Sequence, residues 1–441
     1  MRSSQLSFCG LLAVASAANC TQKLRSVVYF DQYHTTTLPS KNVTAGITHV
    51  VMAFANSSLF VGDTQGEYSP FMEVDQVRSM FDQDAQVGIA IGGWGDTTGF
   101  GEGAKDETSR ATYATNVAAM LDSHGFDFID VDWEYPGGNG ADYKQIPNSD
   151  KVDEITTFPL LLGAIKSAIG DKELSIATPG LEKDMIAYTP EHAQQIWDAV
   201  DFVNIMTYDL ITRRDNATKH HSDVQGSLAA VDKYLSLGLP ASKINLGLAF
   251  YAKYFQTQPG VNCTKIGPVG CPLVKAENDD GSDAGTSGAL TFETANVSPT
   301  VPTNLTTSSD GSCGVGTFSS CQNYKEGDCC SSSGYCGSTS AHCGTGCQSA
   351  YGTCTGPSVT DSFLDALEYG VTDEVAGGQW WWDEEAEIFW TWDTASLIQQ
   401  KFRDIVAARG LGGIMAWSLG EDSYDWSHLN AMVQGAKSLS R

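Results

Sequence analysis

Residues Gly125 to Pro136 read GFDFIDVDWEYP, a stretch in which four acids stand at fixed offsets: Asp127, Asp130, Asp132 and Glu134. The apolar residues between the acids predict a buried β-strand over Phe126–Glu134. Because side chains alternate along a strand, the last three acids share one face. Carboxylates crowded on a buried face cannot all be ionised cheaply, so we expect the pKa of at least one to be raised.

A carboxyl group that stays protonated near neutral pH can serve as the general acid that cleaves a glycosidic bond. A divalent-metal site is the alternative explanation for clustered acids. The stretch lacks the loop glycine and the ligand spacing of an EF-hand, which excludes that calcium site. A magnesium site stays open, although no phosphate-binding glycine loop with a following Lys-Ser/Thr accompanies the acids.

The chain as a whole alternates between apolar, β-rich runs and amphipathic, helix-like runs. Its 441 residues suffice for one large barrel. The alternation favours an α/β fold, a (β/α)8 barrel, over the runner-up, an open doubly wound sheet. The predicted strands are Leu24–Phe30, Ile47–Phe54, Val87–Gly92, Phe126–Glu134, Leu174–Thr178, Phe202–Tyr208, Ile244–Phe250 and Gly413–Trp417.

Aromatic and polar residues stand at or just after several predicted strand ends, where barrel enzymes carry their catalytic groups. Aromatic rings suit sugars, whose C–H faces stack on π surfaces while the hydroxyls seek polar partners. Core packing explains any one ring alone, but rings at several strand ends indicate a carbohydrate cleft. The candidates are Tyr29, Phe54, Gly93, Trp94, Tyr135, Met206, Tyr208, Asp209, Tyr251 and Trp417.

The acid spacing D-x-x-D-x-D-x-E, followed by Tyr135-Pro136, resembles the signature of family 18 glycoside hydrolases, the chitinases and their relatives. The run Met206-Thr207-Tyr208-Asp209 is similar to the family's M-x-Y-D. One position departs from the family pattern: Gly92-Gly93 matches the end of S-x-G-G, but Ala90 replaces the serine that supports the inner aspartate. We expect this loss to alter proton sharing around Asp130 without abolishing activity.

The resemblance implies an endochitinase-type enzyme that cleaves β-1,4-linked N-acetylglucosamine polymers with retention, and it leaves the preference for internal or terminal bonds open. In that scheme Glu134 protonates the glycosidic oxygen while the substrate's own acetamido oxygen attacks the anomeric carbon. Asp132 orients the acetamido group and shares a proton with Asp130. Supporting roles fall to Tyr208, Asp209 and Trp417, with the remaining candidates in contact with the sugars. No metal and no organic cofactor is implied.

A long interruption, Ala252 to Trp392, separates the last two predicted strands and must carry structure of its own. It resembles the small α+β insertion of one chitinase subgroup, at 253–297 and 358–392, which leaves 18–252 and 393–441 for the catalytic barrel. Among the tryptophans Trp380, Trp381 and Trp382, at least one is a candidate to reach the cleft. A Ser/Thr/Pro-rich linker is predicted at 298–310.

A second unit, 311–356, holds eight cysteines and is too small for an apolar core, so disulfides must stabilise it. Its spacing resembles a hevein-like chitin-binding module, which implies the pairs Cys313–Cys330, Cys321–Cys336, Cys329–Cys343 and Cys347–Cys354. Proximity alone suggests Cys263–Cys271. Ser331 and Tyr335 match the ligand residues of such modules, but Ser333 and His342 stand where aromatics are usual. We expect weakened chitin binding; a purely structural remnant is the alternative.

The composition indicates an extracellular protein. The net charge of −27 argues against nucleic-acid and anionic-membrane partners, which demand basic patches. Residues 1–17 resemble a secretory signal, and twelve cysteines fit an oxidising compartment, although Cys20 has no assigned partner. N-glycosylation sequons begin at Asn42, Asn56, Asn216, Asn262, Asn296 and Asn304.

The expected partners are chitin and chitooligosaccharides, bound by a monomer. Three other functions compete with this assignment. A catalytically inactive chitin lectin or inhibitor on the same barrel is disfavoured because Glu134 is present. An endo-β-N-acetylglucosaminidase acting on glycoproteins is disfavoured by the insertion and the cysteine-rich unit. A toxin-like protein that uses chitin for docking stays open.

Overall fold

The computed structural model describes residues 24–62, 66–300 and 303–439. The predicted secretory signal and Cys20 lie outside these ranges. Within them, none of the helices combines the length and the apolar character needed to cross a bilayer.

Eight parallel strands form a closed barrel in which each strand pairs with the next along the chain and the last pairs with the first. This closure confirms the (β/α)8 prediction and excludes the open doubly wound sheet. The strands are Arg25–Asp31, His49–Ala55, Gln86–Gly92, Phe128–Asp132, Glu173–Pro179, Phe202–Met206, Ile244–Ala249 and Gly413–Trp417.

Helices surround the barrel and connect its strands. The α-helices of this layer are Val74–Ser79, Gly99–Ala104, Glu107–His124, Glu154–Ile169, Ala193–Ala199, Val224–Ser236, Ala395–Lys401 and Ser427–Leu439. A π-helical segment, Phe402–Ala407, continues the seventh of them. Short 3-10 helices lie at Ser57–Phe60, Asn148–Asp150, Glu182–Asp184, Ala241–Lys243 and Leu419–Asp422.

Side-chain alternation divides the core into two layers. On the fourth strand, Ile129 and Val131 point outward into the large apolar cluster shared with the helices. Phe128 points inward and packs with Ala90 and Phe202 in the barrel interior. The same alternation places Asp130 and Asp132 inside the barrel.

The fourth strand is shorter than predicted because polar contacts occupy its first residues. Gly125 ends the preceding helix in the left-handed conformation, with φ 74°. The carboxylate of Asp127 then accepts hydrogen bonds from the Val87 amide at 2.8 Å and from Arg78 at 2.6 Å. The strand therefore begins at Phe128 and ends at Asp132, and Glu134 lies just beyond its end.

The insertion after the seventh barrel strand forms a five-stranded antiparallel sheet. Its strands, in spatial order, are Val371–Asp373, Gly378–Asp383, Ile388–Trp392, Tyr251–Gln256 and Ser287–Thr291. The helix Val359–Tyr369 packs on the sheet, and short helices lie at Cys263–Ile266 and Thr294–Val297. Tyr251 follows the barrel strand almost at once, so this sheet starts at the rim of the barrel.

The cysteine-rich unit contains short strand pairs and one helical turn, and its disulfides join the cysteines that the resemblance pairs. Cys263 and Cys271 are also bonded. The strands are Thr306–Thr307 with Ser319–Ser320 and Cys329–Cys330 with Cys336–Gly337; the helix is Ser340–Cys343. Thr306–Thr307 lies inside the segment predicted as a linker.

The cysteine-rich unit is docked on the insertion sheet. The Thr345 hydroxyl donates to Gln256 Oε1 at 3.1 Å, and Gly346 lies so close to Tyr254 that an added Cβ would be 2.9 Å from its hydroxyl. Gln256 and Tyr254 alternate along their strand with Tyr251 and Lys253. The unit therefore lies on the opposite sheet face from Tyr251 and Lys253.

Candidate active site

A cavity of about 400 Å³ opens at the C-terminal ends of the barrel strands. Most of the residues predicted for the site line it, and the structure thus brings together side chains from six parts of the sequence. These predicted residues are Phe54, Trp94, Asp132, Glu134, Tyr135, Met206, Tyr208, Asp209, Tyr251 and Trp417.

Asp130 lies beneath this cavity in a fully buried hydrogen-bond network. The Tyr29 hydroxyl donates to its Oδ2 at 2.8 Å, and the Ser175 hydroxyl donates to its Oδ1 at 2.5 Å. The Asn204 amide donates to the same Oδ1 at 3.2 Å. Burial raises the pKa of Asp130 to about 6, against the opposing effect of these hydrogen bonds.

Asp132 stands between Asp130 and Glu134 on the same strand face. Burial, followed by the charges of Glu134 and Asp130, raises its pKa well above the ordinary value. Among the described residues, its Oδ1 has no hydrogen-bond partner. The expected rise in pKa therefore affects more than one of the crowded acids.

Glu134 is half-buried and lines the cavity. Burial, together with the charges of Asp209 and Asp184, raises its pKa to about 8, although a hydrogen bond from Tyr135 opposes the rise. A group with this pKa carries its proton at neutral pH. It can therefore donate that proton to a ligand in the cavity.

Asp209 has the opposite electrostatic setting. Burial alone would raise its pKa, but Lys253, His221 and Tyr251 together lower the pKa below the ordinary value. The Lys253 ammonium is 3.1 Å from Asp209 Oδ1, and the Tyr251 hydroxyl donates to the same oxygen at 2.7 Å. Asp209 is thus an anion at the cavity wall, in contrast to Glu134.

Aromatic rings form one side of the cavity. Trp417 stacks on Phe54 with 5.5 Å between ring centroids, and the Tyr29 ring lies tilted at 5.6 Å from Trp417. Further along, Trp94 meets Tyr135 edge to face at 6.2 Å and is 43% exposed. Exposed and half-buried rings of this kind can stack on sugar faces.

Some predicted residues act from outside the cavity. Tyr29 and Asp130 lie below its floor, as described above. Gly93 contributes its backbone: its amide donates to the Asp132 carbonyl at 2.9 Å, and a Cβ at this position would lie 2.9 Å from the Phe54 ring. Ser331, Tyr335 and His342 belong to the cysteine-rich unit and do not line the cavity.

The expectation that Trp380, Trp381 or Trp382 reaches the cleft is wrong, because none of them lines the cavity. Trp382 packs on the Cys263–Cys271 disulfide and donates from its indole nitrogen to Thr257 at 3.1 Å. Trp381 packs in the apolar cluster of the insertion. The three tryptophans stabilise the insertion sheet.

Several functional residues escaped the sequence prediction. Ser175 and Asn204 approach Asp130 from the fifth and sixth strands, and side-chain alternation on those strands is a signal that could have found them. Loop residues had no such signal, because only folding brings them to the cavity. The loop residues are Asn139, Tyr143, Arg214 and Glu277; Asp184, on a short helix, and Lys253, on an insertion strand, reach the cavity in the same way.

The geometry of the acids gives no support to the magnesium alternative. Among the described residues, the one set of three or more His, Cys, Asp or Glu side chains close enough to share a metal ion is Cys313, Cys321 and Cys330. All three sulfurs are already in disulfides. The acids of the fourth strand do not converge in this way within the described part of the chain.

Comparison with known sequences identifies relatives among glycoside hydrolases. The model of glycosyl hydrolases family 18 matches residues 25–422. Chitinase 1 of Aphanocladium album is 28% identical over 256 residues, 49% of this chain and 57% of the relative. Endochitinase 1 of Metarhizium robertsii is 28% identical over 266 residues, 53% of this chain and 60% of the relative. The matches thus span less than two thirds of either relative.

Solved structures share the fold. A GH18 chitinase from Cycas revoluta in complex with (GlcNAc)4 superposes with a TM-score of 0.61 at 16% identity, over 94% of this chain and 99% of that one. A family 18 N-acetylglucosaminidase from Paenibacillus barengoltzii gives 0.58 at 21% identity, over 93% and 99%. Since the family match extends from the first barrel strand to the short helix after the eighth, the chain belongs to glycosyl hydrolase family 18.

Proposed function

We propose that this protein is a chitinase that hydrolyses β-1,4-linked N-acetylglucosamine polymers with retention of configuration. The proposal rests mainly on one observation: Glu134, whose pKa is raised to about 8, lines a cavity that also contains aromatic rings. Relatives named chitinase and endochitinase support chitin as the substrate class.

In the proposed reaction Glu134 donates its proton to the glycosidic oxygen as the bond to the anomeric carbon breaks. The acetamido oxygen of the same sugar attacks that carbon and forms an oxazolinium ion, since family 18 does not use a second carboxylate as nucleophile. Glu134, now an anion, takes a proton from water, and the water oxygen opens the oxazolinium ion. Two displacements at one carbon give a product with the β configuration.

Other residues of the site support this sequence of steps. Asp132 accepts a hydrogen bond from the acetamido N–H and stabilises the positive charge of the oxazolinium ion. Asp130, which lies beneath it, shares a proton with Asp132. Tyr208, which lines the cavity, donates to the acetamido oxygen, and the Asp209 anion assists. Trp417 offers the stacking surface for the sugar that is cleaved. No residue role in this scheme calls for a metal or an organic cofactor.

The decisive assay is hydrolysis of colloidal chitin and chitohexaose with analysis of the product anomers. Wild-type protein should release β anomers, and fully deacetylated chitosan, which lacks the attacking acetamido oxygen, should not be cleaved. Glu134→Gln should lower turnover by about 10³-fold with oligosaccharide binding retained. Glu102→Gln, a surface control whose side chain is 62% exposed, should have no effect. Rapid chitosan cleavage or α products would contradict the mechanism.

The cysteine-rich unit supports a second, non-catalytic function in the same proposal. Tyr335 is 61% exposed, so its ring is available for stacking on chitin. The other two predicted ligand residues already have partners within the unit. The Ser331 hydroxyl accepts a hydrogen bond from the Tyr335 amide at 3.1 Å, and His342 Nδ1 is hydrogen-bonded to the Thr339 hydroxyl at 2.7 Å. We infer weak chitin binding that rests mainly on Tyr335.

We also propose that the protein acts outside the cell as a monomer. The disulfides of the described residues form and persist in oxidising compartments. The sequons at Asn42, Asn216 and other positions are consistent with passage through a secretory pathway. Mass spectrometry of the culture medium and light scattering of the purified protein test these two statements.

A further inference from the structure

Loops from different parts of the barrel contact each other beside the cavity. The Tyr143 hydroxyl, on the loop after the fourth strand, donates to Glu277 Oε1 on the insertion. On the same two loops, Gln145 Nε2 donates to the Asp280 carbonyl at 2.8 Å. We call the contacts between segments 139–145 and 277–283 the loop bridge.

Arg214, on the loop after the sixth strand, stiffens this bridge. Its guanidinium donates to the carbonyls of Asn139 at 3.1 Å and Gly140 at 3.3 Å. It also stacks on Tyr143 at 3.7 Å from the ring centroid and lies 3.8 Å from Glu277 Oε2. A partly buried arginine with this many partners holds the neighbouring loops in one arrangement.

The loop bridge is separated from Trp417 by a series of ring contacts along the cavity lining. Trp417 stacks on Phe54. The Phe54 ring lies against Gly93, which precedes Trp94 in the chain. The Arg214 guanidinium lies 6.0 Å from the Trp94 ring centroid. Tyr143 and Glu277 of the bridge line the same cavity as Glu134.

This position matters for the direction of cleavage, given the function proposed above, on which the inference rests. If the cleaved sugar lies on Trp417, the leaving sugar lies on the other side of Glu134, toward the bridge. In a β-1,4-linked chain the leaving oxygen is the 4-hydroxyl of the next sugar, so the leaving portion contains the reducing end. The bridge therefore stands where the reducing end of the chain would extend.

We propose that the loop bridge limits the length of the leaving portion, so that the enzyme releases short oligosaccharides from the reducing end of chitin. A groove for cleavage at random internal bonds must be open at both ends, and here loops from opposite walls are hydrogen-bonded to each other at one end. Arg214 is a positioning residue in this arrangement because it acts by holding Tyr143 and the 139–140 backbone.

The test uses the full-length protein and chitohexaose labelled with ¹⁸O at the reducing-end hydroxyl, with products resolved by mass spectrometry. In the wild type, the labelled fragments should be mainly disaccharide or shorter. Glu277→Ala removes the acceptor for Tyr143, and Gln145→Ala removes an independent contact of the bridge. Each should raise the ratio of labelled tetrasaccharide to labelled disaccharide by about fivefold.

Asp279→Ala is the matched control, because Asp279 lies on the same segment as Glu277 but its side chain is 98% exposed and forms its ion pair with Lys275, which lies outside both bridge segments. Its labelled products should match the wild type. Abundant labelled tetrasaccharide from the wild type, or unchanged ratios in both bridge variants, would overturn the length limit while leaving the chitinase assignment intact. Failure of the wild type to cleave chitohexaose at all would overturn the proposed function itself.

Discussion

The Ser175 hydroxyl donates a 2.5 Å hydrogen bond to Oδ1 of Asp130 from the fifth barrel strand. On the other side of Asp130, the third strand places Ala90 at the paired position, where family 18 carries a serine. The hydroxyl that supports the inner aspartate is therefore present, but it comes from the opposite neighbouring strand. Parallel strands in register make the two positions equivalent as neighbours of Asp130.

Ser175→Ala should lower kcat by about tenfold, the range expected for loss of one hydrogen bond to a charged group. The Ser175 bond is one of the interactions that oppose the burial-driven rise in the pKa of Asp130. Without it the pKa of Asp130 should rise further, so that Asp130 is less able to share a proton with Asp132. Steady-state kinetics on a chromogenic chitooligosaccharide across the acidic pH range measure both effects.

Two further variants separate this role from a general effect on the barrel. Ser26→Ala is the matched control, since Ser26 is a buried strand serine whose hydroxyl has no hydrogen-bond partner in the described ranges. Ala90→Ser in the Ser175→Ala background returns a hydroxyl from the third strand and should restore part of kcat. No rescue, together with equal losses in the Ser26 and Ser175 variants, would contradict the positioning role.

Local sequence patterns predict strands, helices and shared faces, whereas contacts that form only when folding brings distant residues together leave no local pattern. The period-two alternation around Asp130 and Asp132 was sufficient to predict which face the acids share, and repeated strand-helix runs predicted the barrel. Two predicted strands are longer than the observed ones. The fourth begins at Phe128 instead of Phe126 because the Asp127 carboxylate accepts a hydrogen bond from Arg78. The sixth ends at Met206 instead of Tyr208 because the Thr207 amide donates to the Ile205 carbonyl at 2.8 Å. Apolar patterns carry no information on such polar contacts.

The loop residues of the cavity illustrate the second limit. Arg214 and Glu277 are 63 positions apart in the sequence, yet their side chains lie 3.8 Å apart beside Tyr143. Nothing in the sequence around either residue distinguishes them from solvated surface charges. For Trp380–Trp382 the sequence predicts a cleft contact that the structure does not contain. Their rings pack in the apolar clusters of the insertion sheet, and an aromatic run in the sequence does not distinguish that role from a place in the cleft.

The pH dependence of catalysis should report the ionisation of Glu134. Burial and the charges of Asp209 and Asp184 raise its pKa to about 8, and only its protonated form can act as the acid. The value of kcat/KM should therefore fall as pH rises through about 8. Asp184→Asn removes one of the negative charges that raise the pKa, so the alkaline limb should move to lower pH by about 0.5 to 1 unit.

A surface variant with the same change in net charge provides the control for this shift. Glu182 lies on the same short helix as Asp184, but its side chain is 74% exposed and pairs with Lys233. Glu182→Gln should leave the alkaline limb in place, because solvent screens its charge from Glu134. If Asp184→Asn moved the limb upward, or if both variants moved it equally, the assigned electrostatic coupling would be wrong.

The junction between the insertion and the barrel contains a buried ion pair. Lys401 Nζ lies 2.5 Å from Asp393 Oδ2, and neither side chain is exposed. Lys401→Met should lower the free energy of unfolding by about 3–5 kcal/mol, because it leaves the Asp393 carboxyl buried without its cation. Urea denaturation followed by tryptophan fluorescence measures this change.

Replacing both partners tests whether the cost arises from the unpaired group. Lys401→Met with Asp393→Leu should be more stable than Lys401→Met alone, since neither charge is then left buried. Lys105→Met, at a pair whose side chains are 55% and 62% exposed, should leave the urea midpoint nearly unchanged. A midpoint shift for Lys401→Met no larger than that of the surface variant would refute the prediction.

The chitin affinity of the cysteine-rich unit should depend on a single ring. Tyr335→Ala should weaken retention on insoluble chitin by about fivefold, the value of one stacking contact, while turnover of soluble chitohexaose stays unchanged because Tyr335 does not line the cavity. Phe318→Ala is the matched control, since Phe318 is a 71% exposed ring on the same unit at a position without a counterpart among the predicted ligand residues. Ser333→Trp should strengthen retention by adding a ring where such modules carry an aromatic. Equal retention of the wild type and the Tyr335 variant would identify the unit as a structural appendage of the insertion sheet on which it is docked.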